Sequence, residues 1–181
     1  VFGDWSSDVC SSDLESGRAI RMSGAITNIN ARKIAEQKLE ISALFDSLTG
    51  LPNRISFMNR LDVSVGKNQH VSGNQLALFF LDLDHFKWVN ENLGHTVGDK
   101  LLQEFARRLE KCVRDEDMVA RLGGDEFVIL IDQVHSIAET TRVADRILES
   151  TSRPILIDGR QLNTSVSIGI LITDRGDIIS E

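Results

Sequence analysis

Met118-Val-Ala-Arg-Leu-Gly-Gly-Asp-Glu-Phe-Val-Ile-Leu-Ile131 decides how this chain is read. Met118 to Leu122 and Phe127 to Ile131 are apolar runs of strand length, and Gly123-Gly124-Asp125-Glu126 separates them, so the pair reads as a β-hairpin. Two glycines at the tip admit positive φ and let the backbone approach a ligand closely. A turn needs only the glycines. The two acids, placed where the chain re-enters the sheet, are what point to chemistry rather than to an ordinary solvated turn.

Working outward, Leu76 to Leu83 is a continuous apolar run, a buried strand, and it ends in Asp82-Leu-Asp84. Carboxylates at the end of a buried strand are costly unless neutralised. A hard divalent cation neutralises them, and Mg²⁺ takes one or two carboxylates together with phosphate oxygens. On a strand Asp82 and Asp84 share a face, unless the strand has already ended. Taken alone the pair is a weak signal, since an aspartate at a strand end often caps the next turn. Gly94 to Gly98 reads as a loop, and Leu101, Leu102, Phe105, Leu109 and Val113 mark an amphipathic helix over Asp99 to Val113. Leu51-Pro52-Asn53 opens an earlier helix with Pro near its first turn, and residues 67–75 read as a loop. Ser136 to Ser150 is helical, and Ile155 to Ile157 and Leu162 to Ile172 are strands around the turn Asp158-Gly159. From Leu51 the order is helix, strand, helix, hairpin, helix, strands. This is an α+β domain with a central, mostly antiparallel sheet covered by helices.

The whole chain of 181 residues carries 41% hydrophobic and 26% charged residues, enough to bury a core without disulfides or structural metal. Its net charge of −7 argues against bulk attraction to nucleic acid or to an anionic membrane, though not against a small anionic ligand at a metal-loaded site. Cys10 and Cys112 stand far apart in unlike contexts, and His70, His85, His95 and His135 show no ligand spacing, which fits a reducing cytoplasm. No apolar run has transmembrane length, so no membrane contact by this chain is expected. The N-terminus shows neither the basic region nor the apolar stretch of a signal peptide, and the missing initiator Met points to a fragment.

The N-terminal third is read in three pieces. Residues 1–14, with the near-repeat Ser6-Ser7-Asp8 and Ser11-Ser12-Asp13, lack helical or strand periodicity and read as a disordered or foreign leader outside the fold. Residues 15–30 contain a strand over Arg18 to Ile29. Residues 31–48 form a helix that Asn30 can cap, with Ile34, Ile41 and Leu48 spaced by sevens. A short dimerising coiled-coil linker and a single amphipathic helix packed on its own domain are equally good readings of that spacing.

Arg121-Leu-Gly-Gly-Asp-Glu-Phe127 resembles the signature of the diguanylate cyclase family, the GGDEF domain. Asp46-Ser-Leu-Thr-Gly-Leu-Pro-Asn-Arg54 is similar to the family's opening motif. Asp82-Leu-Asp-His-Phe-Lys87, Asn90, Gly94-His95 and Gly98-Asp99 follow with its spacing, and Ser167-Ile-Gly169 resembles its late strand. So many ordered motifs between Asp46 and Thr173 leave little room for coincidence. The resemblance implies a nucleotidyl-cyclase-like fold with a ferredoxin-like core over residues 46–181, and condensation of two GTP into cyclic di-GMP with release of pyrophosphate. Asp82 and Asp125 would hold two Mg²⁺ or Mn²⁺ ions per site with the Leu83 carbonyl, and Glu126 would complete the metal site or assist proton removal. Lys87 and the amides near His85 and Phe86 would take the triphosphate, and Gly123 and Gly124 would let the hairpin pass beside it. Asn90 and Asp99, beside Leu102, would bind guanine, although without the family pattern Asp99 reads as an N-cap after Gly98.

Because one domain binds one GTP, the resemblance implies a homodimer. Arg114-Asp-Glu-Asp117 is similar to the family's RxxD product-inhibition motif, against the plainer reading of a solvated charge run. Residues 21–40 resemble the closing strand and exit helix of a PAS sensor domain, with Asn28-Ile29-Asn30 in place of the usual Asp-Ile-Thr. Beyond Ile172 the family continues into a helix with a Tyr-x-Ala-Lys string and a closing Gly-Arg-Asn, which this chain lacks; the expected domain is therefore C-terminally truncated. The competing functional reading is a catalytically inactive module that senses cyclic di-GMP or GTP. Intact Asp82, Lys87 and Gly123 to Phe127 favour the enzyme, Asn90 and Asp99 disfavour ATP as substrate, and no Glu-Ala-Leu phosphodiesterase motif is present.

Overall fold

The computed structural model describes residues 5–15, 18–28, 33, 43–66 and 75–174, and it divides into two compact units, Val1–Ser42 and Ala43–Glu181. In the first unit β1 (Trp5–Glu15) pairs antiparallel with β2 (Arg18–Asn28), from Trp5 opposite Asn28 to Glu15 opposite Arg18, with the register interrupted between Cys10 and Leu14. The leader expected to lie outside any fold is therefore strand from Trp5 onward. Backbone pairing satisfies N–H and C=O groups whatever the side-chain pattern, so a segment without apolar alternation still enters a hairpin. β2 agrees with the expected strand to within one residue.

Most of the expected linker helix, residues 34–42, lies outside the described residues. Its far end differs from expectation: Ala43 and Leu44 are helical, but residues 47–49 are a turn rather than helix. Asp46 causes the stop. Its Oδ1 accepts from the Thr49 amide at 2.9 Å and from the Thr49 hydroxyl at 2.7 Å, offering the backbone a turn in place of the next helical bond.

In the second unit α1 (Arg54–Gly66) precedes β3 (Gln75–Leu83), then α2 (Phe86–Leu93) and α3 (His95–Glu110). The hairpin β4 (Met118–Gly123) and β5 (Glu126–Val134) follows, then α4 (Ile137–Ser152), a small hairpin of β6 (Ile155–Ile157) and β7 (Arg160–Leu162), and β8 (Val166–Asp174). The main sheet has the order β4-β5-β3-β8, every neighbour antiparallel. Counting α2 and α3 as one crossover, this is the βαββαβ plan of a ferredoxin-like core.

Local chemistry explains the boundaries. Asn53 caps α1 by accepting from the Ile55 and Ser56 amides, so Pro52 stands before the cap and not in the first turn. α3 begins at His95, four residues earlier than expected, because Gly94 at φ 87° ends α2 and opens α3; Gly98 and Asp99 lie inside the helix. Ser136 caps α4, accepting from the Glu139 amide at 3.3 Å. The strand expected over Leu162 to Ile172 is broken at residues 163–165, where the Ser165 carbonyl accepts from the Asp84 amide at 3.0 Å.

Alternation along the strands divides the core between two faces. Ala77, Phe79, Leu81 and Leu83 of β3 with Phe127, Ile129 and Ile131 of β5 pack under Leu101, Phe105 and Leu109 of α3 and Ile147 of α4. Phe105 meets Phe127 edge-on, with ring centroids 5.0 Å apart. On the other face Phe57 of α1 covers Leu76, Leu78, Ala120, Val128 and Leu130. Phe80, one step nearer the end of β3 on this second face, stays 47% exposed, so α1 covers only part of it. We expect Phe105→Ala, which empties the helix-side core beneath the hairpin, to cost about 3–5 kcal/mol, measured by urea unfolding.

Candidate active site

The uncovered end of the second sheet face is a cleft of about 550 Å³, lined by Arg54, Phe80, Asp82, Leu122, Glu126 and Gly169 among others. Asp82 faces it because its neighbours Leu81 and Leu83 are buried on the helix side. The ladder sets Glu126 opposite Asp82 on one flank and Ser167 on the other. The Leu83 amide donates to the Asp125 carbonyl at 3.4 Å, which fastens the end of β3 to the hairpin tip. Asp82, Leu83, Asp125 and Glu126, read as one group in the sequence, are thus brought together.

Their electrostatics are unfavourable as they stand. Loss of hydration, followed by the charges of Asp125, Asp84 and Glu126, pushes the Asp82 carboxyl above the usual aspartate value. Among the described residues no three acidic, histidine or cysteine side chains form a ready-made metal cage. Carboxylates that repel one another beside a backbone carbonyl, to be completed by phosphate oxygens, are the donor set that Mg²⁺ accepts. The residues therefore fit a cation that arrives with a phosphate ligand.

Asp84 has a different task from Asp82. The strand ends at Leu83, and Asp84 accepts from the hydroxyls of Ser165 at 2.5 Å and Ser167 at 2.7 Å, which hold its carboxyl below the usual range. It ties the turn after β3 to the start of β8. His85 follows at φ 62° and ψ 18°, left-handed backbone, and no side chain caps α2. The leading N–H groups at His85 and Phe86 are thus left for water or an anion. Lys87 is not gathered with the acids: it lies on the exposed side of α2, 3.7 Å from Glu91 one turn on.

Asn90 is half-buried between α2 and α3, and its Oδ1 has no hydrogen-bond partner. A Cβ on Gly98 would come within 2.0 Å of that oxygen and 3.3 Å of the Phe86 ring, so any side chain there would push Asn90 aside. Asp99, the next residue, is exposed. It is not a helix cap, because Gly94 holds that position, so the N-cap alternative for Asp99 fails. Leu102 is 1% exposed and belongs to the core.

Gly123 at φ 145° and Gly124 at φ 54° turn the hairpin, and nothing lies within 4 Å of a Cβ built on either. The backbone conformation demands glycine here, and the space beside it is open. What holds the tip in place was missed in the sequence. Arg121 donates from Nε and NH2 to the Gly124 carbonyl at 3.0 and 2.7 Å, and from NH1 to Asp46 at 2.8 Å. Burial acts to raise the Asp46 pKa, but hydrogen bonds from Thr49 and Arg121 and the guanidinium charge outweigh it and leave the carboxyl below its usual range. The opening motif therefore braces the glycine turn from 75 residues away in sequence. The available signal was an Asp and an Arg flanking two otherwise separate motifs.

Arg114 and Asp117 lie away from the cleft, in the turn before β4. The Asp117 carboxylate accepts from the Arg114 amide at 3.0 Å, and burial foremost pushes its pKa up.

Asp82→Asn should stabilise the metal-free protein by about 1–4 °C in Tm, since it removes a like charge at an exposed site. The native carboxyl pKa is raised, so the penalty is present at neutral pH and is relieved as pH falls through the raised value. The Tm difference between variant and wild type should therefore shrink on acidification; a destabilised variant at neutral pH would contradict this account.

The family model described as "Diguanylate cyclase, GGDEF domain" matches residues 43–180. The diguanylate cyclase TpbB of Pseudomonas aeruginosa PAO1 is 46% identical over 129 residues, which is 70% of this chain and 29% of that protein. The cyclic di-GMP phosphodiesterase NbdA of the same organism is 41% identical over 142 residues, 78% of this chain and 18% of that protein. The chain thus spans less than a third of the length of these curated relatives. Among solved structures, the isolated GGDEF domain of TpbB is 45% identical, with a TM-score of 0.67 over 71% of this chain and 74% of that one. The diguanylate cyclase SiaD of P. aeruginosa, solved with its activator SiaC, is 31% identical, with a TM-score of 0.70 over 82% of this chain and 56% of that one. The signature hairpin, the antiparallel α+β fold and these likenesses agree: the chain belongs to the diguanylate cyclase GGDEF-domain family.

Proposed function

We propose that this domain binds one GTP and, facing a second copy, joins two GTP into cyclic di-GMP with release of pyrophosphate. The observation that carries the reading is the placement of Asp82 opposite Glu126 in the ladder, with Asp125 fastened to the end of the same strand, at the foot of a glycine turn braced by Arg121. The likeness reaches proteins named for the opposite activity, such as NbdA. The intact acidic set is therefore what favours the catalytic reading over the inactive sensor.

Asp82, Asp125, Glu126 and the Leu83 carbonyl would hold two Mg²⁺ or Mn²⁺ ions. Bound there, the ions would polarise the α-phosphate and make the attacking hydroxyl more acidic. The chain's own groups do the positioning. The α2 N-terminus at His85 and Phe86 and the Lys87 ammonium receive the triphosphate once Lys87 leaves Glu91, and Gly123 and Gly124 let it lie against the hairpin. Asn90, whose Oδ1 has no hydrogen-bond partner, and Asp99 read guanine, a carboxylate accepting from the N1 and N2 donors that adenine lacks. The 3′-oxygen of one GTP attacks the α-phosphorus of the other. The bond to the β-phosphate breaks, pyrophosphate leaves, and the hydroxyl proton passes to Glu126. A second such attack closes the ring. Each half-site supplies one nucleotide, so the homodimer is part of the mechanism, and a helical linker ahead of Asp46 raises the effective concentration of one half-site at the other.

Arg114 and Asp117 take the product as a feedback inhibitor. Residues 15–30 are the end of a PAS sensor, and the domain works in the cytoplasm; no helix among the described residues is long and apolar enough to cross a membrane.

The reading is tested by chromatography of the products formed from GTP and Mg²⁺. Asp125→Asn should abolish cyclic di-GMP formation with an unchanged circular dichroism spectrum, and near-wild-type synthesis would remove the metal assignment. Gly98→Ala should weaken GTP binding by about tenfold or more, because the new methyl displaces Asn90. Its binding of free Mn²⁺ should not change. An equal loss of both would make Gly98 a packing residue only.

A further inference from the structure

A second cavity, of about 230 Å³, lies beside β5 and the first turns of α4, and Arg114, Asp117, Glu139, Thr140, Arg142 and Arg146 line it. Three guanidinium groups there meet two carboxylates, leaving a net positive charge. Arg142 and Arg146 are anchored through Nε to the carbonyls of Ala138 at 3.3 Å and Cys112 at 2.7 Å, which leaves their terminal nitrogens for other partners. Thr140 is 2% exposed, and its hydroxyl has no partner. A buried hydroxyl left unpaired on a cavity wall is costly, and a ligand in the cavity would relieve it.

Arg114 is the exception among the three arginines, because its guanidinium is already engaged. NH2 donates to Glu139 Oε1 at 3.0 Å, while Oε2 of the same carboxylate accepts from the His135 amide at 3.2 Å. Glu139 is thus pinned at the start of α4, its side chain 18% exposed, whereas the Arg114 side chain is 59% exposed. An ion pair with one such open partner is weak and readily exchanged. A phosphodiester presents the same charge and the same paired acceptors to a guanidinium as a carboxylate does.

We propose that Glu139 is a built-in competitor for product at this site: its carboxylate holds Arg114 until a phosphate of cyclic di-GMP takes its place, so Glu139 sets the concentration at which product is felt. The proposal rests on the reading of Arg114 and Asp117 as the product site. Arg114 is the member of the pair that moves, because its side chain is open while the His135 amide holds Glu139 in place.

Glu139→Gln separates the two ideas, because the amide oxygen can still accept from the His135 amide while the charge is lost. Cyclic di-GMP binding is measured by titration calorimetry on the wild type, Glu139→Gln, Arg114→Ala and the double variant, with melting curves to confirm folding. Glu139→Gln should bind about three- to tenfold more tightly and Arg114→Ala about tenfold or more weakly. In the Arg114→Ala background, Glu139→Gln should change affinity by less than about twofold. Unchanged or weaker binding by Glu139→Gln, with Arg114→Ala still impaired, overturns the competitor and leaves the product site standing. A gain equally large with and without Arg114 reduces Glu139 to a distant charge and also overturns it. Equal binding by wild type and Arg114→Ala, or none by either, removes the product site itself.

Discussion

The register of β3 is the constraint on which the rest depends. β3 is paired on both sides, and side chains alternate between faces, so a slip of one residue would send Asp82 into the helix-side core and bring Leu81 or Leu83 into the cleft. Two independent packings oppose such a slip. Phe79 and Leu81 are fixed beneath α3 and α4, and Leu76 and Leu78 beneath α1. Because both faces of β3 are buried along most of its length, a carboxylate appears only at its end, where α1 no longer covers the sheet. The place of the open cleft therefore follows from where one helix stops.

Placing acids at that end creates a local instability that the fold contains rather than cancels. Asp84 is satisfied by two serine hydroxyls, Asp46 by Thr49 and Arg121, and each of these carboxyls is lowered below its usual range. Asp82 receives no such help, and its carboxyl is raised. The contrast separates the acids that hold turns through protein donors from the one that has no such donor, and Asp84 and Asp82 show it two residues apart.

Arg121 joins these two roles. With its side chain 10% exposed it reaches both Asp46, at the threshold of the domain, and the carbonyl of Gly124. A displacement of the entry segment would be felt directly at the glycine turn. On the opposite flank, Glu139 performs a comparable service at the head of α4, tying the turn before β4 to a helix start. In both places one ion pair spans two motifs that the linear chain separates widely.

The sequence by itself determined the element types and the acidic cluster. The apolar run over Leu76 to Leu83, the hairpin around Gly123-Gly124 and the helical spacing of Leu101, Phe105 and Leu109 are local patterns, and local patterns survive in one dimension. Its resemblance to the GGDEF family also singled out Asp82, Asp125, Glu126 and Asn90 as candidate site residues. The sequence did not determine where helices begin, because Gly98 looks like a loop residue until its packing against Asn90 is seen, nor that Asp84 and Asp82 have opposite tasks, since that depends on serines 81 and 83 residues further on. The strand from Trp5 to Glu15 carries no apolar period, so only pairing with β2 reveals it. Lys87 and Leu102 show the reverse case, residues whose motif position was clear but whose surroundings, an intrahelical partner and a packed core, are decided by three-dimensional neighbours. Periodicity and spacing are properties of the chain alone, whereas hydration, charge compensation and the passage of one helix over another arise only when distant segments meet.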